Sequence, residues 1–357
     1  MLSKKTGLVR SITREYDDMQ EMTVEIDGNI EKAISYTLLT GKLSEGDRLL
    51  LNTTAVELGL GTGGYHFVIA NMDSPQSQMS PGGHIMKLRY TPFQIKCFAV
   101  EEQESKYHEE IKRFSSLEGT PVAVGTLHSQ LVPFACTAKF MDSEKKITYI
   151  MTDGAALPMY LSRNVKSLVE KGLIDHTISC GNAFGGEFES VNVHSAIIFA
   201  KQVLKSDIII ICMGPGIVGT GTKYGFTGIE QAYILDSVAK LGGRPVAIPR
   251  ISFADKRERH FGISHHTVTI LGDMAWCRAE IPINIQDESR LERVRAQIEE
   301  NGLMEKHDVV FVDDDSTKIA LDHYGMKVKS MGRGFEEDEE FFKAASAAAY
   351  HIMEGLK

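Results

Sequence analysis

The feature that most constrains the fold is a short strand that is apolar on both faces. Residues Asp207 to Met213 read Asp-Ile-Ile-Ile-Ile-Cys-Met, and a long glycine-rich segment follows them directly. A strand buried on both faces is typical of the centre of a parallel sheet, because helices cover both sides of such sheets. The run is far shorter than the ~20 apolar residues that span a bilayer. The chain is therefore expected to build an α/β domain around this strand.

Beyond residue 85, candidate strands and helices alternate along the chain. The candidate strands are 94–100, 122–126, 147–151, 176–180, 207–213, 245–248, 266–271, 279–285, 309–312 and 327–330. The candidate helices are 105–117, 129–140, 159–171, 191–205, 228–241, 289–301, 316–324 and 336–355. This alternation predicts a doubly wound, mostly parallel sheet with helices on both faces. Residues 85–357 are expected to form a Rossmann-like domain, either as one body or as two lobes.

Residues 1–71 carry a different pattern. Short runs rich in Val, Ile, Leu and Thr are separated by turn residues such as Asp27-Gly28 and Glu45-Gly46-Asp47. Strands that recur about every 10 residues predict a small β-barrel module. Residues 72–84 are rich in Pro, Ser, Gly and Gln, and we expect them to be a connector.

Charge and cysteine content narrow the classes of partner. Lys and Arg number 39 against 48 Asp and Glu, a net charge of −9, which argues against a nucleic-acid partner. Five Cys are too few for a disulfide scaffold, and no apolar signal segment opens the sequence, so we expect a cytoplasmic protein without a membrane anchor. The Ala-rich helix at 336–355 fits internal packing or a contact in a homo-oligomer.

The loop after the central strand is the leading candidate for ligand binding. Its spacing Gly214-x-Gly216-x-x-Gly219 matches the dinucleotide fingerprint in form, but no helix opens at the third glycine and no acidic residue ends the following strand. An anion fits better, because glycine lets backbone amides approach a ligand closely. The groups assigned to the anion are Gly214, Gly216, Gly219, Thr220, Thr222 and Lys223. The alternative is a tight crossover that needs glycine for its geometry alone. The next helix is expected to begin with a capping box, Thr227-x-x-Glu230.

Two other loops at strand ends carry polar candidates. Asp153 follows the strand at 147–151 and is expected either to act in acid–base catalysis or to cap the turn. Asn182 follows the strand at 176–180 and is expected to donate a hydrogen bond to the ligand.

The densest polar segment is 250–267. We expect Arg257 and Arg259 to neutralise the anion, the alternative being a solvated loop with surface salt bridges. The side chains assigned to proton transfer, together with Asp153, are His260, His265 and His266. If 264–270 is a strand, His265 and His266 point to opposite faces, so no metal site is expected.

Five strings carry a resemblance to a known family. They are NTTAVELGLGTGGYHFV (52–68), GHIMKLRYTP (83–92), TDGAALP (152–158), GPGIVGTGT (214–222) and RERHFGISHHT (257–267). Together they resemble a family of bacterial proteins of unknown function, and the likeness extends over nearly the whole chain. The resemblance implies a bacterial cytoplasmic protein and assigns no reaction, cofactor or catalytic residue.

Two hypotheses of function follow from the sequence. The first is binding of a small anionic metabolite, phosphorylated or nucleotide-like, at the loops after the strands, by an enzyme or by a ligand sensor. The second is a non-catalytic binding or scaffolding protein that uses the N-terminal barrel for a partner. The sequence specifies no cofactor and does not decide whether catalysis occurs.

Overall fold

The computed structural model describes residues 2–74 and 81–357. Contacts divide the chain into two compact units, Met1–Cys97 and Phe98–Lys357. Residues 75–80, which make up much of the expected connector, lie outside the described residues. In the described part of the chain, no helix is both long enough and apolar enough to cross a membrane.

A closed five-stranded barrel forms the core of the first unit, as the sequence predicts, with strand order β1-β2-β3-β5-β4. The strands of this unit are β1 Lys4–Glu15, β2 Met19–Ile26, β3 Asn29–Tyr36, β4 Arg48–Asn52, β5 Tyr65–Asn71, β6 Ile85–Lys87 and β7 Ile95–Cys97, and its short helices are α1 Thr37–Thr40 and α2 Thr54–Glu57. The long β1 pairs with both β2 and β4 and bends at two irregularities in its register, which lets the sheet close. Met22, Val24 and Leu49 fill the interior.

The second unit is built on one eight-stranded sheet in which every neighbouring pair is parallel. The strand order is β11-β10-β9-β12-β8-β13-β16-β17. These strands are β8 Pro121–Val124, β9 Ile147–Thr152, β10 His176–Ser179, β11 Phe188–Glu189, β12 Ile208–Met213, β13 Arg244–Ala247, β16 Glu280–Ile283 and β17 Asp308–Phe311. A separate antiparallel pair, β14 Ile251–Ser252 and β15 Gly262–Ile263, lies in the long segment after β13.

Helices cover both faces of the sheet, so the predicted doubly wound α/β fold is confirmed. The helices are α3 His108–Lys112, α4 Leu131–Met141, α5 Arg163–Glu170, α6 Val193–Gln202, α7 Glu230–Lys240, α8 His265–Val268, α9 Glu288–Glu300, α10 Leu303–Lys306, α11 Ser316–His323 and α12 Glu339–Glu354. In the central β12, Ile209 and Ile211 join the core with α6, α7 and α9, while Ile208 and Ile210 join the core with α4, α5, α11 and α12.

Two expected strands are wrong. Residues 266–271 form α8 and then a π-helix, Thr269–Met274, because the Ser264 side chain caps α8 by accepting from the His266 amide. Every residue of 266–272 is buried except Val268, which is partly buried, so the helical segment is enclosed on most of its surface. Residues 327–330 form no strand and make only an isolated bridge between Ser330 and Arg333. Residues 94–100 contribute only the short β7, which pairs with β6 outside the parallel sheet.

Candidate functional site

The carboxyl edge of the parallel sheet contains a topological switch point. From β8 the chain passes by way of α4 to β9, whereas from the adjacent β12 it passes by way of α7, on the opposite face, to β13. The loops that follow β8 and β12 therefore diverge and leave a crevice between them. In open α/β sheets, ligands bind at this kind of position.

A cavity of about 370 Å³ lies at this crevice. It is lined by Leu127, His128, Ser129, Leu161, Ser162, Arg163, Asn164, Pro215, Ile217, Lys329, Ser330 and Met331. His128 contacts the Ser162 hydroxyl at 2.6 Å, and burial lowers the pKa of this imidazole to about 4. His128 is therefore neutral at physiological pH and contributes a polar but uncharged group to the cavity.

The glycine-rich loop 214–229 crosses the edge of the sheet in a fixed conformation. A Cβ on Gly214 would come within 2.5 Å of the Ala156 carbonyl oxygen, so only glycine permits this approach to the loop after β9. The Ala156 amide donates to the Pro215 carbonyl oxygen at 3.0 Å. Gly216 has φ +102°, a conformation that other residues rarely adopt. These positions require glycine for geometry, whatever the loop binds.

The side chains assigned to an anion in this loop are already engaged. The hydroxyls of Thr220 and Thr222 lie 2.9 Å apart, and Thr220 also donates to the Gly225 carbonyl oxygen at 3.0 Å. Lys223 forms an ion pair with Asp273 at 2.8 Å. The backbone amides of Gly216, Ile217 and Gly219, unlike these side chains, have no hydrogen-bond partner among the described residues.

The middle of the loop lies against a cluster of three histidines. A Cβ on Gly219 would be 3.7 Å from the His266 ring, and Phe226 stacks on the same ring with centroids 3.9 Å apart. His260 and His265 complete the cluster, with ring centroids 4.2–5.1 Å apart across the three pairs. The structure therefore brings together two segments that the sequence singles out separately, 214–222 and 257–266.

The surroundings of all three imidazoles favour the neutral form. Burial, reinforced by nearby arginines, lowers the pKa of both His260 and His266 to about 3 and also lowers the pKa of His265. A neutral imidazole keeps a lone pair on one ring nitrogen, so each of these side chains can accept a hydrogen bond or bind a metal ion.

Three arginines surround the histidine cluster. The buried carboxylate of Asp255 accepts from Arg250 at 3.3 Å and from Arg257 at 2.7 Å, and the hydrogen bonds from Arg257 hold the pKa of Asp255 well below its usual range. Arg259 is exposed, and no described residue forms a hydrogen bond or ion pair with its side chain. The positive charges of the three arginines act on the histidines, and Asp255 offsets only part of them, which leaves this side of the site positively charged.

The loop after β9 contributes a separate acidic group. Asp153 accepts from the Asn182 backbone amide at 2.8 Å and from its side-chain amide at 3.3 Å, so these two predicted residues lie together. Asp153 follows β9, whereas the histidines follow β13, and β12 and β8 lie between these two strands. The role of Asp153 in proton transfer stays a prediction.

Glu230 is a candidate that the sequence reasoning missed. The expected capping box is wrong: the buried carboxyl of Glu230 binds the Thr152 hydroxyl, and the Thr227 side chain accepts instead from the Val218 amide. Burial raises the pKa of Glu230 to about 7, with a smaller contribution from the charge of Asp153. No local pattern links Thr152 to Glu230, because the contact joins the end of β9 to the start of α7, 78 residues apart.

One family model matches the sequence. It is described as a protein of unknown function, DUF3866, and it covers residues 32–349 of the 357. The chain belongs to the DUF3866 family. This confirms the resemblance carried by the five sequence strings. The matched range of DUF3866 includes the glycine-rich loop, the three histidines and both acidic residues. None of the curated proteins matches the chain.

Proposed function

We propose that this protein binds a small anionic metabolite, phosphorylated or nucleotide-like, at the carboxyl edge of its parallel sheet. The observation that carries the proposal is the stacking of Phe226 on His266, which joins a loop with free amides to a cluster of histidines and arginines. The loop supplies amide donors and the cluster supplies guanidinium donors, and the carboxylate within the cluster, Asp255, is already bound by Arg250 and Arg257.

The backbone of the loop supports this assignment. The amides of Gly216, Ile217 and Gly219 have no acceptor within the described structure, and an oxyanion would satisfy such groups. The engaged side chains of Thr220 and Lys223 brace the loop. We therefore propose that the amides contact the ligand and that the side chains of Thr220 and Lys223 hold the loop in its conformation.

The arginines differ in what they can offer the ligand. Asp255 fixes Arg257 through two hydrogen bonds, at 2.9 and 2.7 Å, so this guanidinium is held in one orientation. No described residue forms a hydrogen bond or ion pair with Arg259, so its side chain is able to turn toward an incoming anion. A planar guanidinium can bind phosphate or carboxylate through two parallel hydrogen bonds.

The cavity at the switch point supplies space for the uncharged part of the ligand. Its volume, about 370 Å³, falls within the ~300–1,000 Å³ of typical ligand pockets. Ile217 lines this cavity, and Gly219, two residues further on, lies beside the His266 ring, since a Cβ there would be 3.7 Å from it. A metabolite with an anionic end at Gly219 and an organic part beside Ile217 fits this arrangement.

If the bound ligand reacts in the metal-free protein, we assign proton transfer to the histidines, because they lie beside the arginines. Asp153 is held by hydrogen bonds from Asn182.

Thermal unfolding with a panel of anions tests the proposal. The full chain is heated with inorganic phosphate, phosphorylated sugars or nucleotides in a buffer that contains EDTA, which keeps metal ions out of the measurement. A ligand present at 100 times its Kd stabilises the folded protein by about 2.7 kcal/mol, or about 5 °C or more in a domain of this size. At least one anion should produce such a shift.

Two variants locate the binding site. Arg259→Ala removes an exposed side chain that forms no hydrogen bond or ion pair with any described residue. The Tm of the ligand-free variant should therefore change little, while the anion-induced shift falls. Arg113→Ala, at another exposed arginine of the same unit, should leave the shift intact. A wild-type protein that no anion stabilises, or a shift equally large in Arg259→Ala, would refute the proposal.

A further inference from the structure

We propose that His260, His265 and His266 form a binding site for a divalent transition-metal ion of the zinc type. One ring nitrogen from each histidine can be chosen so that all three lie within 4.8 Å of one another. Imidazole is a preferred ligand of Zn²⁺, and three protein ligands with one open position are typical of catalytic zinc sites.

Local folding places the three rings on one side of a short turn. His260 ends the 3₁₀ turn Glu258–His260, and His265 and His266 open α8 directly after the capping residue Ser264. Because these residues are helical, the two adjacent histidines do not point to opposite faces, and the sequence-based argument against a metal site no longer holds. The π-helix that continues α8 is a rare element that is frequently found at functional sites.

Hydrogen bonding leaves the required nitrogens available. His260 contacts the Ser264 hydroxyl through Nδ1 at 2.7 Å, which allows the tautomer in which Nε2 carries the lone pair. The buried His265 Nε2 and His266 Nδ1 have no hydrogen-bond partner among the described residues. A buried polar atom without a partner destabilises a fold, so two of them on adjacent histidines call for a ligand. A bound metal ion would satisfy both.

The rings need only a small adjustment to bind one ion. With Zn–N bonds of ~2.0–2.1 Å, ligand nitrogens in a tetrahedral site lie about 3.4 Å apart. The widest pair therefore has to approach by about 1.4 Å from the present 4.8 Å. Rotations of the imidazole rings cover such a distance without a change in the backbone.

The charge around the cluster determines what completes the site. Arg250, Arg257 and Arg259 are positive, and the carboxylate that lies among them, Asp255, is already bound by two of them. A dication held by three neutral ligands would be repelled here unless an anion took its open position. This step rests on the proposed function: the same oxyanion would bind the metal ion and the arginines, so anion and metal should raise each other's affinity.

Zinc titration of the metal-free full chain tests the proposal. The protein is stripped with EDTA, which is then removed, and Zn²⁺ is titrated by calorimetry with and without sulfate, an oxyanion that complexes zinc weakly. Co²⁺ is added in parallel, because its visible absorption reports a tetrahedral site with nitrogen ligands. We expect one Zn²⁺ per chain and tighter binding in sulfate.

Three variants distinguish the metal-binding residues from other histidines. Loss of an outer hydrogen-bond partner of a metal ligand weakens binding roughly 10–100-fold, so Ser264→Ala should bind about 10-fold more weakly and His265→Gln more weakly still. The control, His194→Gln, changes an exposed histidine outside the cluster and should bind like the wild type.

Three results would overturn the metal site: no stoichiometric binding by the wild type, equal binding by His265→Gln, or a Co²⁺ spectrum of octahedral type. Equal zinc affinity with and without sulfate would overturn the coupling to an anion. The thermal-unfolding experiment with anions is done in EDTA and does not depend on the metal ion. A protein that binds no anion and a protein that binds no metal ion therefore give different results in the two experiments.

Discussion

Replacement of Glu230 by Gln should make the protein more stable at alkaline pH. The Glu230 carboxyl is only 4% exposed, and burial raises its pKa from 4.5 to about 7. The folded protein therefore holds a proton on Glu230 that the unfolded chain has already lost above pH 4.5. Ionisation of this group stabilises the unfolded state relative to the folded state, so its contribution to stability is fully present below pH 4.5 and is lost as the pH rises to 7.

The size of the effect follows from the shift. A difference of about 2.5 pKa units corresponds to about 3 kcal/mol, at 1.36 kcal/mol per unit. Gln cannot ionise, and its side-chain carbonyl oxygen can still accept from the Thr152 hydroxyl. Glu230→Gln should therefore match the wild type near pH 4.5 and exceed it by up to about 3 kcal/mol at pH 8.

Urea unfolding at several pH values between 4.5 and 8 measures this difference. Far-UV circular dichroism is the suitable signal, because the single Trp276 is 94% exposed and reports little of the core. Glu292→Gln, on the exposed face of α9, is the matched control and should show no pH-dependent gain. A difference between Glu230→Gln and wild type that stays constant with pH, or a variant that is less stable at pH 8, would refute the reasoning.

Two further variants test other parts of the candidate site. Asp255→Ala removes the carboxylate that binds Arg250, whose side chain is 5% exposed, and leaves that buried charge with the weaker interaction with Asp338, so urea unfolding should show a loss of about 3 kcal/mol. Asp308→Ala breaks an exposed pair and should lose less than about 1 kcal/mol, and equal losses in the two would contradict this account. Gly225→Ala places a methyl group against the hydroxyls of Thr220 and Thr222, so it should lower the Tm and reduce the anion-induced shift. Removal of both hydroxyls in Gly225→Ala, Thr220→Ala, Thr222→Ala should recover part of both.

The sequence predicts the architecture well because periodicity reports burial. The run Ile208–Met213 is buried at every position, which identifies the centre of the sheet without any knowledge of its neighbours. Most helices of the second unit fall within a few residues of their expected ranges, since their apolar positions recur with helical spacing. The strand expected at 266–271 is wrong for a local reason. A short run of this kind fits a strand or a helix, and the cap formed by the Ser264 side chain favours the helix.

The candidate site is harder to predict, because its contacts join distant parts of the chain. The sequence names the glycine-rich loop and His266 but not the stacking of Phe226 that joins them, and it does not reveal the hydrogen bonds between Asp153 and Asn182. Glu230 is read as a helix cap because its local spacing allows that role. Its real partner, Thr152, becomes visible only when β9 and α7 are placed in space.

Loop 214–229 has the properties of a preorganised ligand site. One end is fixed by the contact of Gly214 with Ala156, the middle by the bonds of Thr220 and the ion pair of Lys223, and the far end by the stacking of Phe226 on His266. A loop that is already ordered loses little conformational entropy when a ligand binds, so more of the contact energy appears as affinity. Substitutions that loosen these attachments should therefore weaken binding even though the altered side chains never touch the ligand.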